Sequence, residues 1–210
     1  MPSLVDKYFS QVDFDAIEAA VKKAEQSTSG EIAVELASHS RNWLSERILY
    51  ALAFALICIL GALYFTRDVN WGVYYDTTQA VLWGVVGFVV AYFVWGWFLK
   101  RSSRRRSVVW KRALRGFGQM TPVRGLAGVL IFASLEEDQA AIVIDKGIAS
   151  KVPPDYWDAP QAAIVNAMKQ GHHAEGIIQV IGTIANELAR HFPRESGDIN
   201  ELPDRPRKID

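Results

Sequence analysis

Two uninterrupted apolar runs constrain this chain more than any other feature. Ile48–Phe65 reads ILYALAFALICILGALYF and Ala80–Leu99 reads AVLWGVVGFVVAYFVWGWFL, and neither contains a charged residue or a histidine. At ~1.5 Å of rise per residue, helices of these lengths reach about 27 and 30 Å, close to the ~30 Å hydrocarbon core of a bilayer. A buried helix in a soluble domain rarely stays apolar on every face for so long. They predict a transmembrane hairpin with spans 48–65 and 80–99 and an external connection 66–79. Small residues recur at i, i+4, i+7, i+11 on both spans, as Ala51, Ala55, Cys58 and Ala62, then Ala80, Gly84, Gly87 and Ala91. Such stripes let helix backbones approach closely, where van der Waals contact drives association in lipid. Ionisable groups inside a membrane mark pumps and proton relays, and two spans without them enclose no pathway, so a pore or carrier would require oligomers.

Charge is segregated along the chain. The totals cancel at 23 basic and 23 acidic residues, yet residues 1–40 hold seven acids against three bases, residues 77–135 hold nine bases and no acid, and residues 136–210 hold thirteen acids against eight bases. Basic residues cluster after the second span, at Lys100, Arg101, Arg104, Arg105, Arg106, Lys111, Arg112 and Arg115. The 66–79 connection has only Arg67, offset by Asp68 and Asp76. The positive-inside rule then places both termini in the cytoplasm of a bacterial inner membrane, the chain crossing it twice. Tyr64, Trp71, Tyr74 and Tyr75 suit the outer aromatic belt and Trp43, Trp95 and Trp97 the inner one. Met1–Asp15 has no apolar core segment of a signal peptide. The single cysteine, Cys58, excludes an internal disulfide, and its apolar neighbours disfavour the thiolate. Disorder over most of the chain, a disulfide scaffold and an ordinary soluble enzyme are all excluded.

The polar parts read as one domain interrupted by the hairpin. Phe14, Ile17, Val21 and Ala24 fall at helical spacing, with Asp13 or Asp15 as N-cap and Glu18 completing a capping box from Asp15. After Ser27–Gly30, Ile32, Val34 and Leu36 alternate as in a strand. One helix and one strand bury no core, so their partners lie beyond the hairpin. There Ala127–Ser134 and Ala140–Ile144 read as strands joined by a turn over 135–139, an antiparallel pair. Asp158 caps a helix with Pro160 in its first turn and Ile164, Val165 and Met168 inward, ended by Gly171. A last helix carries Ile177, Ile181, Ile184 and Leu188 and stops at Phe192-Pro193. The expected organisation is 1–44 as the first part of the domain, 45–100 the hairpin, 101–125 a basic juxtamembrane segment, 126–193 the second part, and 194–210 a disordered tail. The order of elements suggests a small α/β layer fold.

The stretches AEQSTSGEIAVELA (24–37), GVLIFASLEEDQAAIVIDKGI (128–148) and 157–193 resemble the TPM domain family, known from proteins implicated in photosystem II repair and described as phosphatase-like. The resemblance covers about 100 residues, essentially the predicted cytoplasmic core. It implies a mixed sheet flanked by helices, with the hairpin and its basic follow-on where many members have a helical excursion. Members with an acidic metal cluster commonly carry Asp or Asn just before the strand, a position that is Ala127 here, while the acid opening the next helix corresponds to Asp158.

Chemistry is sparse. The serine-elbow, P-loop, dinucleotide, zinc-protease and EF-hand motifs are absent. His172 and His173 are adjacent, so they point about 100° apart on a helix and suit a solvated helix start; His39 follows a strand, and His191 suits the last turn of a helix. Carboxylates remain. Glu31 and Glu35 share one face of a strand, read as solvated; Asp145 ends another strand; Asp155 and Asp158 precede a helix. Glu31, Asp145 and Asp158 are the candidate ligands for a hard divalent ion, Ca²⁺ or Mg²⁺, which needs several such oxygens. The basic segment has Val109, Ala113, Leu114 and Phe117 on one side of a possible helix. Arg104, Arg105, Arg106, Lys111, Arg112 and Arg115 are candidate contacts to an anionic inner leaflet. Nucleic acid is not expected, because no recognition element accompanies the charge. The first expectation is a membrane-tethered, non-catalytic interaction or quality-control module acting on a membrane-protein partner. A metal-assisted phosphatase-like hydrolase is the alternative, and an oligomeric pore or carrier subunit the second.

Overall fold

In a computed structural model, residues 3–41, 43–66, 77–99, 102–120, 127–194 and 200–209 are described. Most of the 66–79 connection, with Arg67, Asp68, Trp71, Tyr74, Tyr75 and Asp76, lies outside them, as do Lys100 and Arg101 and the side chain of Arg104. The chain forms two compact units, one from residues 1–40 and 106–210, the other from 41–105.

The first unit is built on a mixed sheet of β1 (Glu31–Ala37), β2 (Gly128–Ser134), β3 (Gln139–Ile144) and β4 (Arg207–Ile209), in the order β3-β2-β1-β4. Strand β1 runs parallel to both β2 and β4, whereas β2 and β3 are antiparallel across a turn in which Asp138 adopts φ 50°. Parallel neighbours need a crossover connection. Between β1 and β2 that connection contains the whole second unit together with α5 (Ser102–Phe117).

Both faces of the sheet are covered, which is why β2 is apolar from Val129 to Ala133. Ile32, Val34 and Leu36 of β1 and Val129, Ile131 and Ala133 of β2 pack under α2 (Gln11–Glu25), α7 (Asp158–Lys169) and α8 (His173–His191). In α8, Ile177, Ile181, Ile184 and Leu188 are all buried, so the helical stripe is the core face. The other face, with Ala33, Ala37, Leu130, Phe132 and Val143, is covered by Val109 and Ala113 of α5 and by Leu202. Glu31 and Glu35 lie on this second face and are buried, which corrects the expectation of a solvated face. The helix and tail that cover them could not be placed there by strand periodicity.

Three caps differ from expectation. Ser10, not Asp13 or Asp15, is the N-cap of α2: its hydroxyl accepts the Asp13 N–H while Asp13 accepts the Ser10 N–H. The same box, Ser3 with Asp6, opens an additional short helix α1 (Leu4–Tyr8). Asp158 is the first residue of α7 rather than its cap, because the 3₁₀ turn Pro154–Trp157 runs directly into the helix and Trp157 is already helical. Gly171, at φ 84°, separates α7 from α8. A one-turn helix α6 (Lys146–Ala149) follows β3. Of the tail expected to be disordered, residues 195–199 and 210 lie outside the described residues, and 200–209 carry β4 instead, because edge pairing with β1 and burial of Leu202 order them.

The second unit consists of α3 (Trp43–Phe65) and α4 (Thr77–Leu99), packed as an antiparallel pair. The small residues form their seam. Ala51, Ala55 and Ala80 are buried, and a Cβ on Gly84 or Gly87 would come within 2.6 Å of Ile59 or of the Cys58 sulfur. The remaining surface is apolar and exposed, as at Leu49, Phe93 and Trp97. Both helices are long and apolar enough to cross a membrane. One cation lies in the seam just before the first span: Arg47 Nη2 donates to the Tyr92 carbonyl at 3.3 Å, with its guanidinium 4.2 Å from the Tyr92 ring centre. Gly96 leaves the room it needs.

Candidate functional site

The sheet brings two of the three proposed ligand residues to one end. Glu31 pairs in register with Gly128, whose carbonyl accepts the Asp145 N–H at 2.9 Å. Their carboxylates are nonetheless committed in different directions. Glu31 Oε2 accepts the Leu202 N–H at 3.2 Å, and Asp145 Oδ1 caps α6 by accepting the Lys146 N–H at 2.7 Å. Asp158 stands exposed at the start of α7 and pairs with Arg106 at 3.2 Å. Glu31, Asp145 and Asp158 therefore do not converge on one point. Among the described residues no group of three or more His, Cys, Asp or Glu side chains is arranged to hold a metal ion.

The acids that do cluster are others. At the junction of α2, β1 and the C-terminal segment, a cleft of about 230 Å³ is lined by Glu25, Thr28, Glu31, Arg194, Asn200 and Asp204 among others. Glu25 Oε1 accepts the Ile32 N–H at 3.1 Å, and Asn200 bridges Glu25 to Asp204. Burial pushes the Glu25 carboxyl up to about 8, against the pull of the Ile32 N–H and helped by the charges of Glu31 and Asp204. Deeper in the same sheet, Glu35 is 1% exposed and its Oε2 has no hydrogen-bond partner. Arg207 approaches Oε1 at 3.4 Å, and Gly116 of α5 passes so close that a Cβ there would lie 2.5 Å from Oε2. Burial raises this carboxyl as well, opposed by Arg207 and Arg112. At the opposite end of β1, Glu137 accepts from Ser134 Oγ and from the Ser40 N–H, tying the segment that leaves the domain to the β2–β3 turn. Sequence reading missed Glu35 and Glu137 as buried groups and Glu25 as a half-buried one, since each looks like an ordinary surface acid until its cover is known. His173, expected in solvent, is 9% exposed and stacks 4.6 Å from the Tyr8 ring. That correction follows from α1, which sequence reading did not find.

The basic segment is sorted by helix phase. Val109 and Ala113 are fully buried and fix α5 on the sheet. Arg112 on the flank faces Glu35, and Arg106 pairs with Asp158. One step round from the buried positions, Trp110 and Leu114 stand 42% and 45% exposed, and Lys111 and Arg115 follow them toward solvent. Arg115 Nε reaches the Lys111 carbonyl at 3.4 Å, and among the described residues neither cation makes an ion pair with an acid. Leu114, grouped with the inward positions by its spacing, points outward.

With this geometry in view, the chain is similar to the NMR structure of the BA42 protein from the psychrophilic bacterium Bizionia argentinensis. The TM-score is 0.58, with 24% identity over 95% of this chain and 94% of that one. At that identity the likeness speaks to the fold. No family model and no curated protein matches the sequence.

Proposed function

We propose that this chain is a membrane-tethered TPM-like module of a bacterial inner membrane. Both termini are cytoplasmic, and the chain serves as a non-catalytic interaction or quality-control factor for a membrane-protein partner. The observation that carries the reading is the insertion itself. A pair of apolar helices, packed through a small-residue seam, sits inside the crossover between two adjacent strands of an α/β domain. A domain interrupted in this way is joined to its anchor by two chain connections, at residues 40–41 and 105–106. The carboxylates of the hydrolase alternative each have a separate partner, Glu31 at the Leu202 N–H, Asp145 at the Lys146 N–H and Asp158 in an exposed pair with Arg106.

Topology reporters provide the test. Green fluorescent protein fused at either end fluoresces, and alkaline phosphatase is active only when placed within residues 67–76. Phosphatase activity from a fusion at residue 210 would overturn the topology. For the role, a saturating stabilisation by Mg²⁺ or Ca²⁺ that Asp145→Asn abolishes would favour the hydrolase instead.

A further inference from the structure

The exposed face of α5 is not accounted for by the anchor or by the sheet. The buried pair Val109 and Ala113 sets the helix phase, so Trp110 and Leu114 form an outward ridge and Lys111 and Arg115 lie beside it. The helix contains no acidic residue from Ser102 to Phe117. Its other described cations have internal work: Arg106 pairs with Asp158, Arg112 faces Glu35, and Arg105 has a contact of its own. What remains is an indole, a leucine, an ammonium and a guanidinium on one patch.

We propose that this patch is a lipid-headgroup docking face, with Trp110 and Leu114 at the boundary of the acyl region and Lys111 and Arg115 on anionic phosphates. Indole is favoured at that boundary because one edge is apolar and its N–H can be hydrated. Each basic residue near an anionic surface is worth about 1 kcal/mol, or about fivefold in occupancy. Two cations and two apolar side chains would not hold a free protein on a membrane, where stable attachment takes a second signal. Here the second signal is in the same chain, because α5 begins at Ser102 and α4 ends at Leu99. Tethering makes a weak contact intramolecular in effect, so modest affinity suffices. The inference rests on the membrane-tether reading. It names the anionic lipid surface as occupant because charge complementarity and chain continuity both point there, in preference to an acidic protein.

The test uses the full chain in a Cys58→Ala background, with Leu114→Cys carrying an environment-sensitive fluorophore and Val12→Cys, exposed on α2, as the control position. The protein is reconstituted in phosphatidylcholine vesicles with and without phosphatidylglycerol, and headgroup-nitroxide lipid serves as quencher. The expected result is a blue shift and quenching at 114, greater with phosphatidylglycerol and lost in Lys111→Glu/Arg115→Glu, with the label at 12 remaining aqueous. A label at 114 as aqueous as that at 12 in both vesicles would overturn the proposal. So would a shift that appears only when a second protein is added, which would assign the patch to an acidic protein surface. Flotation of the same vesicles after an alkaline wash separates the two readings. Failure to float sinks the tether, whereas flotation with an aqueous 114 sinks only the docking face.

Discussion

At the residue scale the unusual groups are carboxyls placed where charge is costly. Glu25 is the clearest, its carboxyl raised from an ordinary 4.5 to about 8 by burial, with Glu31 and Asp204 nearby. The sign of the consequence is fixed. In the unfolded chain the group ionises near its ordinary value, so the folded state keeps its full contribution only below about 4.5 and loses it as pH rises to about 8. Glu25→Gln removes the titration but keeps a side-chain oxygen to accept the Ile32 N–H. The variant should melt like the parent near pH 4.5 and at a higher temperature at pH 8, measured by circular dichroism in detergent micelles. Parallel melting curves across that interval would show that burial at Glu25 is not the cause. Glu137 makes the contrasting case. It is more deeply hidden than the half-buried Glu25, but hydroxyl and amide donors surround it, so its burial stitches two loops together.

At the element scale the close contacts between helices make the sharpest demands. On α8, Gly176 faces Ala167 of α7 so tightly that a Cβ at 176 would overlap the Ala167 methyl. Ala167 has no flexible end to move away. Gly176→Ala gains roughly 1 kcal/mol of helix propensity, while overpacking a rigid contact costs about 1–3 kcal/mol, so the net change is destabilising. Denaturant unfolding of the variant should show a lower midpoint at unchanged slope, and a raised midpoint would mean that the helices simply part. Nothing in the sequence around Gly176 announced that contact, although the helices themselves were legible. Ile177, Ile181, Ile184 and Leu188 repeat at helical spacing and are buried as that spacing requires. The apolar runs of α3 and α4 and the β2–β3 pairing were equally plain, since periodicity and turn residues are local signals. The caps were less so: Ser10 won over Asp13 because a hydroxyl three residues upstream let both groups bond reciprocally. Site residues were least legible. Whether Glu31 or Glu35 is solvated depends on α5 and on Leu202, far away in the chain, and no pattern within β1 reports them.

At the scale of the whole molecule, the C-terminal segment closes the sheet edge opposite β3. Leu202 is buried among Ala33, Leu130 and Phe132, its N–H satisfies Glu31, and Arg207 reaches Glu35. Exposed ion pairs then fasten the segment, with Arg205 on Asp15 and Glu18 and Lys208 on Asp6. Such exposed pairs contribute little singly, a median of about 0–1 kcal/mol. Burying a leucine contributes about 1.5–3 kcal/mol. The apolar plug therefore outweighs any one pair, and the charges tie the segment to α1 and α2. A charged, proline-broken tail looks unstructured because its order comes from one leucine and a three-residue strand, below what periodicity can detect. Two variants separate plug from charge. Leu202→Ala should lower stability by about 2–3 kcal/mol, whereas Arg205→Ala should change it by less than about 1 kcal/mol. Removing everything after Arg194 should exceed both, because it also strips the Leu202 N–H from Glu31 and opens β1. Hydrogen exchange would then speed up first at the β1 amides and at Ser38, whose N–H bonds to the Ile209 carbonyl. If the truncated chain kept the parent's melting temperature and β1 protection, the tail would be an ornament on the sheet rather than the cover that makes Glu31 and Glu35 interior groups.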